Sequence, residues 1–280
     1  DHDGQRARVG HESRYRATYV YDPSAVVQTL RRLGSESYAI VATPASGRSL
    51  ARLRGGRWEL LRHPASAEPA SPPAIRELWL RGEAGSRYQA FLFGDPGARR
   101  VAVWWHGGPH ENVSPRFNPY FQRLSELGFA VLAVNYPGST GRGADYERAW
   151  RRPEVEDCID AVWRQLAELR PSHVVSWSVS IGVRVQSLLL LRGHPLSGAV
   201  DQAGWGRTPL VGLADARGLP LFTIRGRFDP GAPVERVSFE YEGGHDLQRG
   251  EDFVALFERL APFLAELSPV VWPLPESPAS

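Results

Sequence analysis

The sequence predicts a mostly parallel, doubly wound sheet with helices on both faces, and three observations predict it. From about residue 100 onward, short apolar runs alternate with amphipathic stretches. Those runs lack the in–out alternation of a half-exposed strand, as expected where both faces of a sheet are covered. Ser178, Asp229 and His245, whose side chains can carry catalytic chemistry, and His106, which opens a glycine loop, each follow such a run. That places them at the carboxyl edge of the strands, where open parallel sheets bind their ligands.

The elements follow in order. Residues 1–14 are polar and charged, a terminus expected to fray. Strand-like pieces occupy 15–21, 38–42, 49–54 and 58–62, with Gly55-Gly56 as a hairpin turn and one helix expected over 24–33. Residues 64–73, rich in Pro, Ala and Ser, read as a linker. Residues 1–68 therefore form a small β-rich N-terminal appendage and 69–280 the principal domain. In that domain 76–81 and 88–93 make an antiparallel pair around 82–86. Buried strands are expected at 101–105, 130–135, 173–177, 198–202, 219–225 and 236–242. Helices are expected at 119–127, 154–169, 179–191 and 251–267.

Composition removes several function classes. With 280 residues and 42% hydrophobic content the chain can bury a large core. No run approaches the ~18 to 20 apolar residues of a membrane span, so no membrane partner is expected. All 33 basic residues are arginine, interleaved with acids to a net charge of only +2, and nucleic acid is not an expected partner. The arginine-rich, lysine-free composition resembles the coding bias of a GC-rich bacterial genome. Cys158 is alone, in a helical stretch, and reads as a buried structural thiol. No signal peptide is visible, and cytoplasm is the default compartment. Methionine is absent even at the start, so the initiator is gone and a targeting segment could have been trimmed. No His/Cys/Glu cluster has metal-ligand spacing and no phosphate-binding glycine motif is present, so neither metal nor cofactor is expected.

The chemistry lies in a Ser…Asp…His order preceded by an HGG loop, the layout of the α/β-hydrolase fold. Ser178, in Ser176-Trp177-Ser178-Val179-Ser180, is the expected nucleophile, at a sharp strand-to-helix turn. That turn normally has glycine two places either side, and Ser176 and Ser180 stand there instead. A frame shifted by two makes Ser180 the nucleophile, flanked by Ser178 and Gly182. Serines that merely cap a helix are the bland alternative. Asp229 is the expected acid, with Asp201 in reserve, and His245 the expected base. Only 16 positions separate Asp229 from His245, so an extended Pro-rich loop must replace the usual crossover helix. Backbone N–H groups of Gly107, Gly108 and Val179 form the expected oxyanion hole. His106 and His110 read as structural.

These motifs resemble the prolyl oligopeptidase family of serine peptidases, especially its acylaminoacyl-peptidase and dipeptidyl-peptidase-like branches. His106-Gly107-Gly108-Pro109-His110 is similar to the family's HGGP loop. The run from Asn135 to Gly143 is similar to its NYRGSTGYG segment, with Pro137 in place of Arg. Glu154-Val155-Glu156-Asp157 matches the start of the next helix. The resemblance covers about residues 75–267. It implies an α/β-hydrolase domain, a Ser178–Asp229–His245 triad, and a peptide or small acyl substrate. The family's GWSYGG is altered, and the residues ahead of the hydrolase region suffice for one or two blades of the propeller such proteins carry.

The expected function is a serine hydrolase cleaving peptide, amide or ester bonds through an acyl-enzyme on Ser178. An acyltransferase or cyclase would use the same triad. A catalytically degenerate hydrolase that binds a peptide or partner is the alternative. Self-association into a homo-oligomer is left open.

Overall fold

The computed structural model describes residues 26–42, 49–54, 57–62, 73–108, 111–204, 210–231 and 236–272. The chain divides into two compact units, one holding residues up to Ile75 together with 114–126, the other holding the remainder.

The first unit contains a four-stranded antiparallel sheet in the order β1 (Val26–Leu33), β2 (Glu36–Ala42), β3 (Ser49–Arg54), β4 (Arg57–Arg62). Ala39, Val41 and Ala51 are its buried centre, with Val27, Leu30 and Trp58 packed against them. The helix expected over 24–33 is instead strand β1. Its residues pair with β2 from Val26↔Ala42 to Leu33↔Glu36, around a turn made by Gly34, whose φ is +63°. Val26, Val27 and Thr29 are β-branched and suit a pleated surface, and the pairing outweighs the weak helical spacing. The strand expected at 15–21 lies outside the described residues. The unit also carries α1 (Pro119–Glu126), in which Phe121 and Leu124 are buried.

The second unit is an eight-stranded sheet in the order β12-β11-β10-β9-β7-β8-β6-β5. Its strands are β5 (Ile75–Arg81), β6 (Arg87–Phe93), β7 (Arg100–Trp105), β8 (Phe129–Asn135), β9 (His173–Val179), β10 (Gly198–Gln202), β11 (Leu221–Gly226) and β12 (Phe239–Tyr241). From β8 through β7, β9, β10 and β11 to β12 every pair is parallel, while β6 lies antiparallel to β8. Every residue of β8 and of β10 is buried, the pattern of strands covered on both faces. The helices are α2 (Ala144–Arg148), α3 (Arg152–Leu169), α4 (Val183–Arg192), α5 (Leu210–Ala216) and α6 (Gly250–Glu266). The sequence reading lacks α2 and α5, both too short to show a helical period.

The largest core cluster joins Trp105, Leu132 and Val134 of the sheet to Ile159, Trp163 and Leu166 of α3. Cys158 belongs to it, fully buried, its thiol pushed up by desolvation. No helix among the described residues is long and apolar enough to cross a membrane.

Candidate active site

Strand β9 runs two residues further than its sequence suggests, through Val179, and this decides which serine is presented. Ser176 and Ser178 stand inside the strand, both with no exposed surface. Ser178, the expected nucleophile, directs its Oγ to Gln186 Oε1 at 2.6 Å and to Asp201 Oδ1 at 3.1 Å. The structure does not bring Ser178 to His245, because polar residues read as a turn are instead satisfied within the sheet. Val179, the expected oxyanion donor, is still part of the strand and pairs in register with Gln202.

The turn comes at Ser180. A short 3-10 turn, Ser180–Gly182, links β9 to α4. Ser180 has φ +51°, one of three non-glycine residues with positive φ among the described residues. Such a conformation costs on the order of 1–3 kcal/mol and persists where surrounding structure enforces it. It is the strained strand-to-helix geometry that exposes a nucleophile's oxygen. Two residues on, Gly182 makes room for the turn. A Cβ there would lie 2.4 Å from the Trp105 carbonyl oxygen and 2.8 Å from that of His106. Both obstacles are backbone, so Gly182→Ala is expected to cost stability of about 1–3 kcal/mol, read as a lowered denaturant midpoint. An unchanged midpoint would mean that the elbow relaxes freely.

His245 meets this serine. Its Nε2 lies 2.8 Å from Ser180 Oγ and its Nδ1 lies 3.0 Å from Asp229 Oδ2. The Asp229 side chain is 3% exposed and that of His245 32%, so the carboxylate is enclosed and the imidazole faces outward. Asp229 Oδ1 accepts the Gly231 N–H at 2.9 Å, which fixes the carboxylate.

The short Asp–His spacing is accommodated by direct stapling of the two loops. Arg227 N–H donates to the Tyr241 carbonyl and Phe228 N–H to the Gly243 carbonyl, both at 2.9 Å. Tyr241 Oη donates toward the carbonyls of Gly244 and His245, each at 3.0 Å. Arg227 also pairs with Glu240 and Glu242 across the same edge. Residues 232–235, where the extended loop is expected, lie outside the described residues. Gly226 ends β11 beneath the histidine loop, and a Cβ on it would overlap the Gly244 carbonyl oxygen, 1.9 Å away. Gly226→Ala is expected to lever the two loops apart. Activity should then fall by about 10²-fold, since a displacement near 1 Å has that effect on a catalytic group. Comparing the variant's turnover with its circular dichroism checks this.

The glycine loop closes the site. A Cβ on Gly107 would stand 3.4 Å from Ser180 Cβ and 3.6 Å from the Val179 carbonyl oxygen. The loop is held from below by His106, whose ring nitrogens lie 2.6 Å from the Gly107 carbonyl oxygen and 2.7 Å from Ser139 Oγ. Tyr136 stacks on that ring at 4.4 Å and donates its hydroxyl to the His106 carbonyl at 2.6 Å. Burial pulls His106 down to about 4, so it is neutral and structural at ordinary pH. The Asn135–Gly143 segment thus supports the HGG loop, which explains why the two motifs occur together. His110 lies outside the described residues. Among the described residues no group of three His, Cys, Asp or Glu side chains could hold a metal ion.

No family model matches the chain. Over 108 residues it is 34% identical to dipeptidyl aminopeptidase BIII of Pseudoxanthomonas mexicana, covering 37% of this chain and 14% of that one. Over 67 residues it is 40% identical to the human acylamino-acid-releasing enzyme, 22% of this chain and 9% of the other. Among solved structures, a puromycin-hydrolysing peptidase of Mycobacterium tuberculosis superposes with TM-score 0.74 at 20% identity, over 90% of this chain and 49% of that one. The acylaminoacyl peptidase of Pyrococcus horikoshii superposes with TM-score 0.72 at 13% identity, over 93% and 52%. The chain thus spans about half the length of these solved structures. Its fold is the α/β-hydrolase fold, and in sequence motifs and architecture the chain is similar to the serine peptidases of the prolyl oligopeptidase family.

Proposed function

We propose that this chain is a serine hydrolase that cleaves peptide or amide bonds through an acyl-enzyme on Ser180. The observation that carries the reading is the hydrogen-bonded order Asp229–His245–Ser180 ending on a serine at positive φ. His245 Nε2 takes the hydroxyl proton as Oγ attacks the acyl carbon, and Asp229 holds the Nδ1–H and stabilises the imidazolium. With the nucleophile at 180, the oxyanion donor after it is the N–H of Ile181, joined by the Gly107-Gly108 loop. His245 then gives its proton to the leaving amine. Water, deprotonated by the same imidazole, releases the acid and restores Ser180.

The changed elbow favours activity over degeneracy. One flanking glycine is replaced, by Ser178, and its hydroxyl is accommodated; the other, Gly182, stands where a side chain would collide. The substrate class rests on the similar proteins, which are named as peptidases and amino-acid-releasing enzymes. Turnover of aminoacyl, dipeptidyl and N-acetyl-aminoacyl p-nitroanilides, with p-nitrophenyl esters in parallel, tests it. Amide hydrolysis that disappears in Ser180→Ala is the expected result. Ester hydrolysis alone would overturn the peptide assignment. Binding without turnover in the folded chain would favour the non-catalytic alternative.

A further inference from the structure

Beneath the elbow lies a buried polar chain that the reaction itself does not use. Ser176, Ser178 and Gln186 have no exposed surface, and Asp201 is 6% exposed. Gln186 reaches in from α4. Its Nε2 faces the carbonyl oxygens of Ser176 at 2.8 Å and Val200 at 3.3 Å, and Ser176 Oγ at 3.0 Å. Two carbonyls can only accept, so the amide's orientation is fixed and Oε1 must be the atom facing Ser178. Trp105 Nε1 donates to Ser176 Oγ at 3.1 Å, tying the group to the neighbouring strand.

The proton count then singles out Asp201. The Ser178 hydroxyl owns one proton but faces two oxygens, Gln186 Oε1 at 2.6 Å and Asp201 Oδ1 at 3.1 Å. Gln186 Oε1 has no proton to give. The hydroxyl can share its proton between them only as a weakened three-centre bond; each contact is a full hydrogen bond if the carboxyl carries a proton and donates it to Ser178 Oγ. An ionised carboxylate would compete with Gln186 for a single hydrogen in a site without solvent. We infer that Asp201 is held as a neutral acid, and that Asp201–Ser178–Gln186 is a positioning chain fixing the end of β9 from which Ser180 is projected. This deepens the proposed hydrolase reading and rests on it.

Burial supports the assignment by pushing the Asp201 carboxyl up to about 7. Ser178 on β9 and Thr223 on β11 are its register partners and Gly204 lies against the carboxyl, with Gln186 behind Ser178; Gly231, beside the Asp229 carboxylate, stands next to the Gly204 carbonyl. Gly204 closes over the carboxyl so tightly that a Cβ there would lie 2.5 Å from Oδ2. Position 178, a glycine in the usual elbow, thus becomes an anchor. A side chain is tolerated there because a proton donor and an acceptor are waiting for it.

The folded carboxyl binds its proton more tightly than the unfolded one. Between about 4 and about 7 the folded state therefore holds the extra proton, and stability should fall as pH rises through that window. Asp201→Asn keeps a donor toward Ser178 and should remove that slope from the midpoint-versus-pH curve.

Carbon-13 NMR of aspartate carboxyls in the full chain reads the proton directly, Asp201 being identified by the resonance lost in Asp201→Asn. The expected carboxyl is still protonated at pH 6; one that titrates in the ordinary aspartate range overturns the inference. The rate at which a fluorophosphonate labels Ser180 reads the positioning. Asp201→Asn should label within about 3-fold of the parent, whereas Ser178→Ala and Asp201→Leu should label roughly 10²-fold more slowly while folded. Parental rates in Ser178→Ala and Asp201→Leu would refute the positioning role. Equal losses in Asp201→Asn and Asp201→Leu would show that charge, not proton donation, matters. Should Ser178→Ala not fold, the two Asp201 variants and the titration decide. A parent that never labels sinks the hydrolase reading, while the titration still decides the proton's place.

Discussion

Ser180→Ala is expected to abolish acyl-enzyme formation, lowering turnover by ~10⁴-fold or more, because the removed oxygen is the one that attacks. The fold should be unaffected, since Ser180 is half-buried and its side chain bonds outward to His245. Ser178→Ala should behave differently. It removes a hydroxyl that never reaches the imidazole, so turnover should fall by less and stability by more. The buried partners Gln186 and Asp201 would be left unmatched, at a cost of about 1–3 kcal/mol. Active-site titration by pre-steady-state burst separates the two variants. A burst that survives in Ser180→Ala but vanishes in Ser178→Ala would reverse the assignment.

His245→Ala and Asp229→Asn should each cost about 10⁴-fold in turnover. Alanine removes the group that carries the proton. Asparagine keeps the shape of Asp229, but its amide can present a donor to His245 Nδ1 and favour the wrong tautomer, at the bond now 3.0 Å long. The losses should not add. Once Ser180 is gone, removing His245 as well should change little, because the members act as one unit. A double variant markedly slower than Ser180→Ala would show that His245 has work outside this chain of hydrogen bonds.

Much of the sheet was legible because its strands are buried on both faces. Runs such as Phe129–Asn135 are apolar up to their last residue, and helices such as Arg152–Leu169 carry a clear apolar stripe. The stretch from Val26 to Leu33 was not, since its strand character comes from pairing across Gly34 rather than from its own spacing. The structure brings Asp229 and His245 to within 3.0 Å of each other, each in a glycine-bearing turn after a strand.

The sequence points to Ser178 while the structure brings Ser180, two residues on, to His245, and the difference has a specific reason. Serines at 176, 178 and 180 repeat with the period of a strand, and a polar residue after Trp177 reads as the start of a turn. Nothing local shows that Gln186, eight residues further, and Asp201, on the next strand, reach back to satisfy Ser178. One signal was available: of the candidate serines, Ser180 alone has a glycine two places after it, at Gly182. Weighing that steric demand above the end of the apolar run would have selected it.

The central claim is that Ser180 is the nucleophile and His245 activates it. Fluorophosphonate labelling of the folded chain, followed by mass-spectrometric mapping of the adduct, tests it most directly. The account predicts an adduct on Ser180 that is lost in His245→Ala. An adduct on Ser178, or labelling of Ser180 that persists without His245, would contradict it.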